Sequence, residues 1–254
     1  MFNQYESYLF DLDGTVYNGE KPIDSAISFI TKLNQKGIPY GFITNNSTKT
    51  PEQVADKLRK FGLHVEANQV VTSALATALY VKKNVKEARV FIIGEIGLET
   101  AFSSFNKDDM KPDAVIIGLD RHITYEKMSQ AARLVREGAL FIATNPDRML
   151  PSANGLVCGN GAIVAAISYA AQKEPITIGK PNKEIITLAL EQLQFQKDKT
   201  ILVGDNYETD IMTGIHAGMS TLHVKTGVTL DCSNFEKQPT FSISSLDRWQ
   251  LEEV

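Results

Sequence analysis

The chain reads as an α/β protein, a doubly wound, Rossmann-like parallel sheet into which a second α/β domain is inserted, and three observations predict this. Short apolar runs alternate with helical periodicities along almost the whole length. The runs are apolar at consecutive positions, as strands buried on both faces must be. Four of them end in small polar or charged residues, whereas those between Thr72 and Ala143 do not, so one sheet theme interrupts another. A length of 254 residues allows one large core or two unequal ones.

In chain order, Tyr8-Leu9-Phe10 is a buried strand that delivers Asp11 and Asp13 into a turn opened by Gly14. Alternate residues of an extended segment share a direction, so the two carboxylates are expected to face one volume. Ala26, Ile27, Ile30 and Leu33 give a helix over Ser25–Gln35 that Gly37 stops. Ile38–Ile43 is a strand ending in Thr44-Asn45-Asn46-Ser47. Thr50, Pro51 and Gln53 then supply cap, first-turn proline and third-position amide for a helix to about Lys60.

Next come helices at Ser73–Lys83, Leu98–Phe105 and Thr124–Arg136, with strands at Arg89–Ile93, Asp113–Leu119 and Ala139–Ala143. Thr144-Asn145-Pro146-Asp147-Arg148 is a loop, and the glycine-rich passage Gly155–Gly161 precedes an apolar helix over Ala162–Ala171. The first theme is expected to return with a strand at Ile176–Ile178 ending in Gly179-Lys180-Pro181, after which Asn182 caps a helix to Leu193. A strand at Thr200–Val203 ends in Gly204-Asp205. A helix over Tyr207–Ala217, a strand over Ser220–Lys225 and a short strand and turn over Phe241–Trp249 complete the chain.

Ligands of such sheets bind outside the carboxyl ends of the strands, so Asp11, Thr44, Lys180 and Asp205 are expected to converge on one edge. Around a phosphate ester they form a working set. Asp11 can attack phosphorus, and Asp13 can protonate the leaving oxygen and later take a proton from water. Lys180, the Thr44 hydroxyl and nearby N–H groups can hold the phosphoryl oxygens. Asp205 adds a third oxygen donor for Mg²⁺, and Asp210, one turn further on, can orient a metal water or Lys180.

Taken together, Asp11-Leu12-Asp13-Gly14-Thr15, Ile43-Thr44-Asn45-Asn46, Gly179-Lys180-Pro181 and Gly204-Asp205 through Asp210 resemble the four motifs of the haloacid dehalogenase superfamily. The Thr-Asn-Asn ending, Thr144-Asn145-Pro146-Asp147 and Gly179-Lys180-Pro181-Asn182 resemble its NagD and p-nitrophenylphosphatase-like branch, subclass IIA. The resemblance spans about Tyr8 to Val228. It implies a catalytic core over residues 1–77 and 178–254 and an inserted cap of the C2 type over 78–177. It also implies Asp11 as nucleophile, Asp13 as acid/base, and Thr44, Lys180 and the Asn45 backbone N–H as phosphate binders. The metal ligands it implies are Asp11, Asp205 and the Asp13 carbonyl, with Asp210 and Asn206 behind them. The second aspartate favours phosphate over halide chemistry. Asn145, Asp147 and Arg148 are the cap candidates for leaving-group contact.

The expected activity is therefore Mg²⁺-dependent hydrolysis of small phosphate monoesters. A phosphotransferase, or a non-catalytic regulator binding a phosphorylated metabolite, shares the motifs. The net charge of −4 offers no footprint for nucleic acid or an anionic membrane. No run of about 18 apolar residues occurs, and Met1–Ser7 lacks the basic-then-apolar pattern of a signal peptide. Cys158 and Cys232 lack metal or disulfide spacing, so a cytoplasmic protein is expected. Its oligomeric state, monomer or homodimer, is left open by the sequence. His64, His122, His216 and His223 share no ligand spacing and read as surface or core residues.

Overall fold

The computed structural model describes residues 5–152 and 155–251; of the amino-terminal stretch read above, residues 1–4 lie outside it, as do residues 252–254. The chain divides into two compact units. One comprises the chain up to Thr44, Glu52–Val71 and the chain from Lys180 onward; the other comprises Asn45–Pro51 and Thr72–Gly179.

In chain order the elements begin with β1 (Ser7–Phe10), β2 (Tyr17–Asn18), β3 (Lys21–Pro22), α1 (Asp24–Gln35), β4 (Tyr40–Thr44), α2 (Pro51–Lys60), β5 (Val70–Thr72) and α3 (Ser73–Asn84). There follow β6 (Arg89–Ile93), α4 (Ile96–Ala101), β7 (Asn106–Lys107), β8 (Ala114–Ile117), α5 (Tyr125–Arg136), β9 (Leu140–Ala143), β10 (Met149–Ser152), β11 (Gly155–Cys158) and α6 (Asn160–Ala171). The last are β12 (Ile176–Thr177), α7 (Glu184–Leu193), β13 (Thr200–Gly204), α8 (Met212–Ala217), β14 (Ser220–Val224) and β15 (Phe241–Ile243).

The first unit is organised on a six-stranded sheet of order β15-β14-β13-β1-β4-β5. Its central strand β1 is buried throughout and runs parallel to β13 on one side and β4 on the other, with Phe10 opposite both Val203 and Phe42. That register decides the site. Asp11 follows Phe10, Asp205 lies two residues past Val203 and Thr44 two past Phe42, so all three leave the sheet at the same edge. Beneath them Phe10 and Tyr8 pack against Phe29 of α1, with ring centroids 6.3 and 5.4 Å apart. Leu9, alternating, faces the other way and is equally buried. Burial of each such side chain contributes about 1.5–3 kcal/mol.

The second unit repeats the principle with a five-stranded sheet of order β12-β9-β8-β6-β7, parallel at each pairing, and an antiparallel hairpin of β10 and β11. Here one expectation is corrected. The run Ile176–Ile178 does not return to the first sheet: β12 pairs with β9, Ile176 opposite Ile142 and Thr177 opposite Ala143. Only three of the four functional strand endings belong to one sheet, and Lys180 enters the first unit from a loop. An apolar triplet states that it is a strand; its partner is settled by where the preceding helix α6 delivers it.

Smaller differences have local causes. The helix after Lys180 starts at Glu184 with Lys183 at its N-cap, so Asn182 does not cap it. The helix expected over Leu98–Phe105 runs Ile96–Ala101 and stops where Phe102 and Phe105 turn to pack on each other, centroids 4.8 Å apart. The segment after Asp205 opens with a π-turn, Tyr207–Ile211, before α8. The loop at residues 144–148 precedes the β10–β11 hairpin, whose second strand is the first part of the glycine-rich passage. Gly159 and Gly161 open α6, packed on backbone of residues 146–148.

Candidate active site

In the first unit, three buried carboxylates meet: Asp11, Asp205 and Asp210 each present an oxygen within 4.8 Å of the others. Lys180, also buried, donates to Asp11 Oδ1 and, at 2.6 Å, to Asp210 Oδ1. The π-turn makes this possible. Its wide turn brings Asp210 back over its own start, where the Asn206 N–H donates to Asp210 Oδ2 at 3.0 Å. The Asn206 side chain meanwhile accepts from the Glu208 N–H at 3.0 Å and caps the turn.

Three anions against one ammonium leave the cluster negative in a place with little water. Burial, then the neighbouring Asp210, pushes the Asp11 carboxyl well above its ordinary range, with Lys180 opposing. Burial and Asp210 likewise push Asp205 up to about 6. Burial alone would lower the Lys180 pKa, but Asp11 and Asp210 outweigh it and raise it. Such oxygen-only donors, closely spaced and short of positive charge, fit a hard divalent cation.

Asp205 is held on both oxygens: Oδ1 accepts from the Thr15 hydroxyl at 2.9 Å and Oδ2 from the Val228 N–H at 2.7 Å. Two glycines wall it in. A Cβ at Gly14 or at Gly227 would overlap the carboxylate, and Gly14 also has φ +94°, a conformation that side chains resist. Thr15, Gly227 and Val228 were not among the residues anticipated. Their signal was available in part, since Thr226-Gly227 follows the apolar run of β14 as a fourth polar ending on the same sheet.

Asp13 differs from Asp11. The strand ends at Phe10, so the alternation rule no longer applies, and the Asp13 side chain is exposed while Asp11 is buried. Asp13 Oδ1 accepts from the Gly19 N–H at 3.4 Å, across the small β2–β3 hairpin. Thr44 ends β4 half-buried.

The remaining sequence candidates gather in the second unit. Asn45 donates from its amide to Asp147 Oδ1 at 2.8 Å, and its carbonyl accepts from the Ser73 hydroxyl at 2.7 Å and the Asn145 amide at 2.9 Å. Asn145 and Asp147 thereby fix the backbone at Asn45, while Arg148 is exposed. Among the described residues no helix is long and apolar enough to cross a membrane.

Comparison with known proteins identifies the family. The haloacid dehalogenase-like hydrolase profile matches residues 8–106, and a HAD-hydrolase-like profile matches residues 177–249. An acid sugar phosphatase of Staphylococcus aureus strain USA300 is 48% identical over 249 residues, 96% of each chain. Among solved structures, a double mutant of the thermostable NPPase from Geobacillus stearothermophilus is 48% identical with TM-score 0.93, covering 98% of this chain and 99% of that one. The 4-nitrophenylphosphatase of Thermotoga maritima is 33% identical with TM-score 0.89, covering 96% of this chain and 95% of that one. With whole-chain identity of this order joined to matching folds, the chain belongs to the haloacid dehalogenase superfamily, in its NagD and p-nitrophenylphosphatase-like branch, and is a phosphatase.

Proposed function

We propose that the protein hydrolyses small phosphate monoesters with Mg²⁺ through an aspartyl-phosphate on Asp11. The observation that carries this reading is the pairing of a buried Asp11, held by Lys180, with an exposed Asp13 two residues on. A nucleophile must be fixed and dry; an acid/base must exchange protons with water.

In the first half-reaction an Asp11 carboxylate oxygen bonds to phosphorus as the ester P–O bond breaks, and the Asp13 carboxyl gives its proton to the departing alkoxide. In the second, Asp13 takes a proton from water as the water oxygen attacks phosphorus, which frees Asp11 and inorganic phosphate. Asp11, Asp205 and the Asp13 carbonyl would hold Mg²⁺, which would supply charge neutralisation at the phosphoryl oxygens. Lys180 holds Asp11 in position and faces the same oxygens, Asp210 orients Lys180, and Thr44 and the Asn45 N–H complete the phosphate cradle. Leaving-group selection is assigned to the inserted unit, with Arg148 suited to polar or anionic groups. The S. aureus relative makes sugar phosphates the first substrate class to try, beside nucleoside monophosphates.

The test is phosphate release from a panel of sugar phosphates, nucleoside monophosphates and p-nitrophenyl phosphate, with and without Mg²⁺. Release should vanish with a chelator and fall by on the order of 10⁴-fold or more in Asp11→Asn. An Asp11→Asn enzyme that retained wild-type turnover would overturn the aspartyl-phosphate route. A buffer containing alcohols that diverted phosphate to new esters in preference to water would instead identify a transferase.

A further inference from the structure

We propose that His223 is a positioning residue for Asp205, acting through the loop Thr226–Thr229 that clasps the Asp205 carboxylate. This rests on the reading of Asp205 as a metal ligand. His223 is fully buried in β14, directly opposite Gly204, the residue before Asp205. A buried imidazole in a parallel strand is an unusual choice where an aliphatic side chain would pack, and its ring is completely engaged. Nε2 lies 2.9 Å from the Thr229 carbonyl. A carbonyl only accepts, so Nε2 carries the hydrogen. Nδ1 is then the acceptor, receiving the Ser242 hydroxyl at 2.9 Å and facing Cys232 Sγ at 3.4 Å. Burial lowers the ring's pKa, in agreement with this neutral tautomer.

The residue that His223 grips is the hinge of the clasp. Thr229 donates its N–H to the Asp205 carbonyl at 3.2 Å, and its hydroxyl accepts from the Tyr207 N–H at 2.9 Å. One residue earlier, the Val228 N–H donates to Asp205 Oδ2 at 2.7 Å. Two earlier, Gly227 lies flat against the carboxylate. Thr226 closes the far end, its hydroxyl donating to the Gly14 carbonyl at 2.7 Å. The loop is therefore pinned at Thr226 by the Asp turn and at Thr229 by His223, and the span between the pins carries the N–H that aims Asp205. With the second pin lost, the Thr229 carbonyl and the Ser242 hydroxyl both lose their partner on the ring. Thr229 is then left on its bonds to the Asp205 carbonyl and the Tyr207 N–H alone, the Val228 N–H is held less firmly on Oδ2, and the carboxylate gains freedom to rotate away from the direction in which it meets a cation.

The experiment titrates MgCl₂ against the full chain without substrate, following the rise in Tm, and repeats the titration by p-nitrophenyl phosphate turnover. His223→Leu fills the space but removes the N–H. It should raise the Mg²⁺ concentration for the half-maximal Tm shift by about 10–100-fold, the usual effect of removing a group behind a metal ligand. KM measured at saturating Mg²⁺ should stay near the wild-type value, since the defect lies in the metal step. His223→Gln, whose amide reaches the Nε2 position, should return the midpoint close to wild type. A His223→Leu protein with an unchanged midpoint overturns the proposal. Should that variant not fold, Val228→Pro decides, because it deletes the clasping N–H at an exposed side chain: the same rise is expected, and an unchanged midpoint overturns the proposal. Asp205→Asn separates the two layers of inference. If it keeps the full Mg²⁺ response, the metal role of Asp205 falls and the clasp with it; if it loses the response while His223→Leu keeps it, the clasp alone falls.

Discussion

The two units of this chain are built alike and put their strand ends to opposite uses. Both are parallel sheets with fully apolar central strands, β1 in the first and β8 in the second. In the first unit the residues just past the strands are charged, buried and in excess of their counter-charge: Asp11, Asp205 and Asp210 against Lys180. In the second the bonding polar groups are neutral and pair with one another, with the buried Asn160 Oδ1 the exception that has no hydrogen-bond partner. Asn160 donates its amide to the carbonyls of Ile117 at 3.3 Å and Asn145 at 2.9 Å and to the Thr144 hydroxyl at 3.3 Å, tying the ends of β8 and β9 to the start of α6. The acids of this unit are separately paired, Glu95 with Arg121 and Asp120 with Lys127. The same architecture can thus store electrostatic tension or spend its polar groups on itself, and only the first is useful to a reaction.

The comparison is broken most directly at Lys180. Lys180→Met leaves the three carboxylates without their ammonium and should destabilise the chelator-treated protein by about 3–5 kcal/mol, the usual cost of breaking a buried pair. Urea unfolding at pH 8 in EDTA measures it, and a loss no larger than that of a surface lysine would mean that the cluster is not under tension.

The next effect is a dependence on pH. Asp205 binds its proton more tightly folded, at about 6, than at its ordinary 3.8. Its contribution to stability is therefore full below about pH 4 and is lost as pH rises through 6, an amount on the order of 3 kcal/mol. Asp11 shifts in the same direction. Stability of wild type minus that of Asp205→Asn, measured in EDTA from pH 4 to 7, should fall across that window; a flat difference would contradict the charge excess.

The smallest effect belongs to the second unit. Asn160→Ala should cost about 1–3 kcal/mol, because the Asn145 carbonyl loses the amide it accepts from, while the Ile117 carbonyl keeps the Thr144 N–H and the Thr144 hydroxyl keeps the Asn145 amide. Turnover of p-nitrophenyl phosphate at saturating Mg²⁺ should change far less than in Lys180→Met. A large loss of turnover with little loss of stability would mean that the second unit's strand ends take part in the chemistry after all.

The order of the main helices and longer strands, the acidic turn after β1 and the polar endings of β4 and β13 were legible in the chain because they are local: a hydrophobic period, a cap or a turn residue lies within a few positions of what it controls, whereas short pairs such as β2–β3 and β10–β11 carry too few residues to show a period. With the four motifs this sufficed for the family and for the residues of the cluster. Tertiary structure decided what depends on partners far along the chain. It placed β12 beside β9 and not in the first sheet, buried Asp11 while leaving Asp13 exposed, and used a π-turn to carry Asp210 onto Lys180. It also enlisted Gly227, Val228 and His223 around Asp205, more than a dozen residues downstream of it. A polar strand ending such as Thr226-Gly227 marks where to look, but what a backbone amide or a glycine wall touches is fixed only once the strands that carry them are aligned.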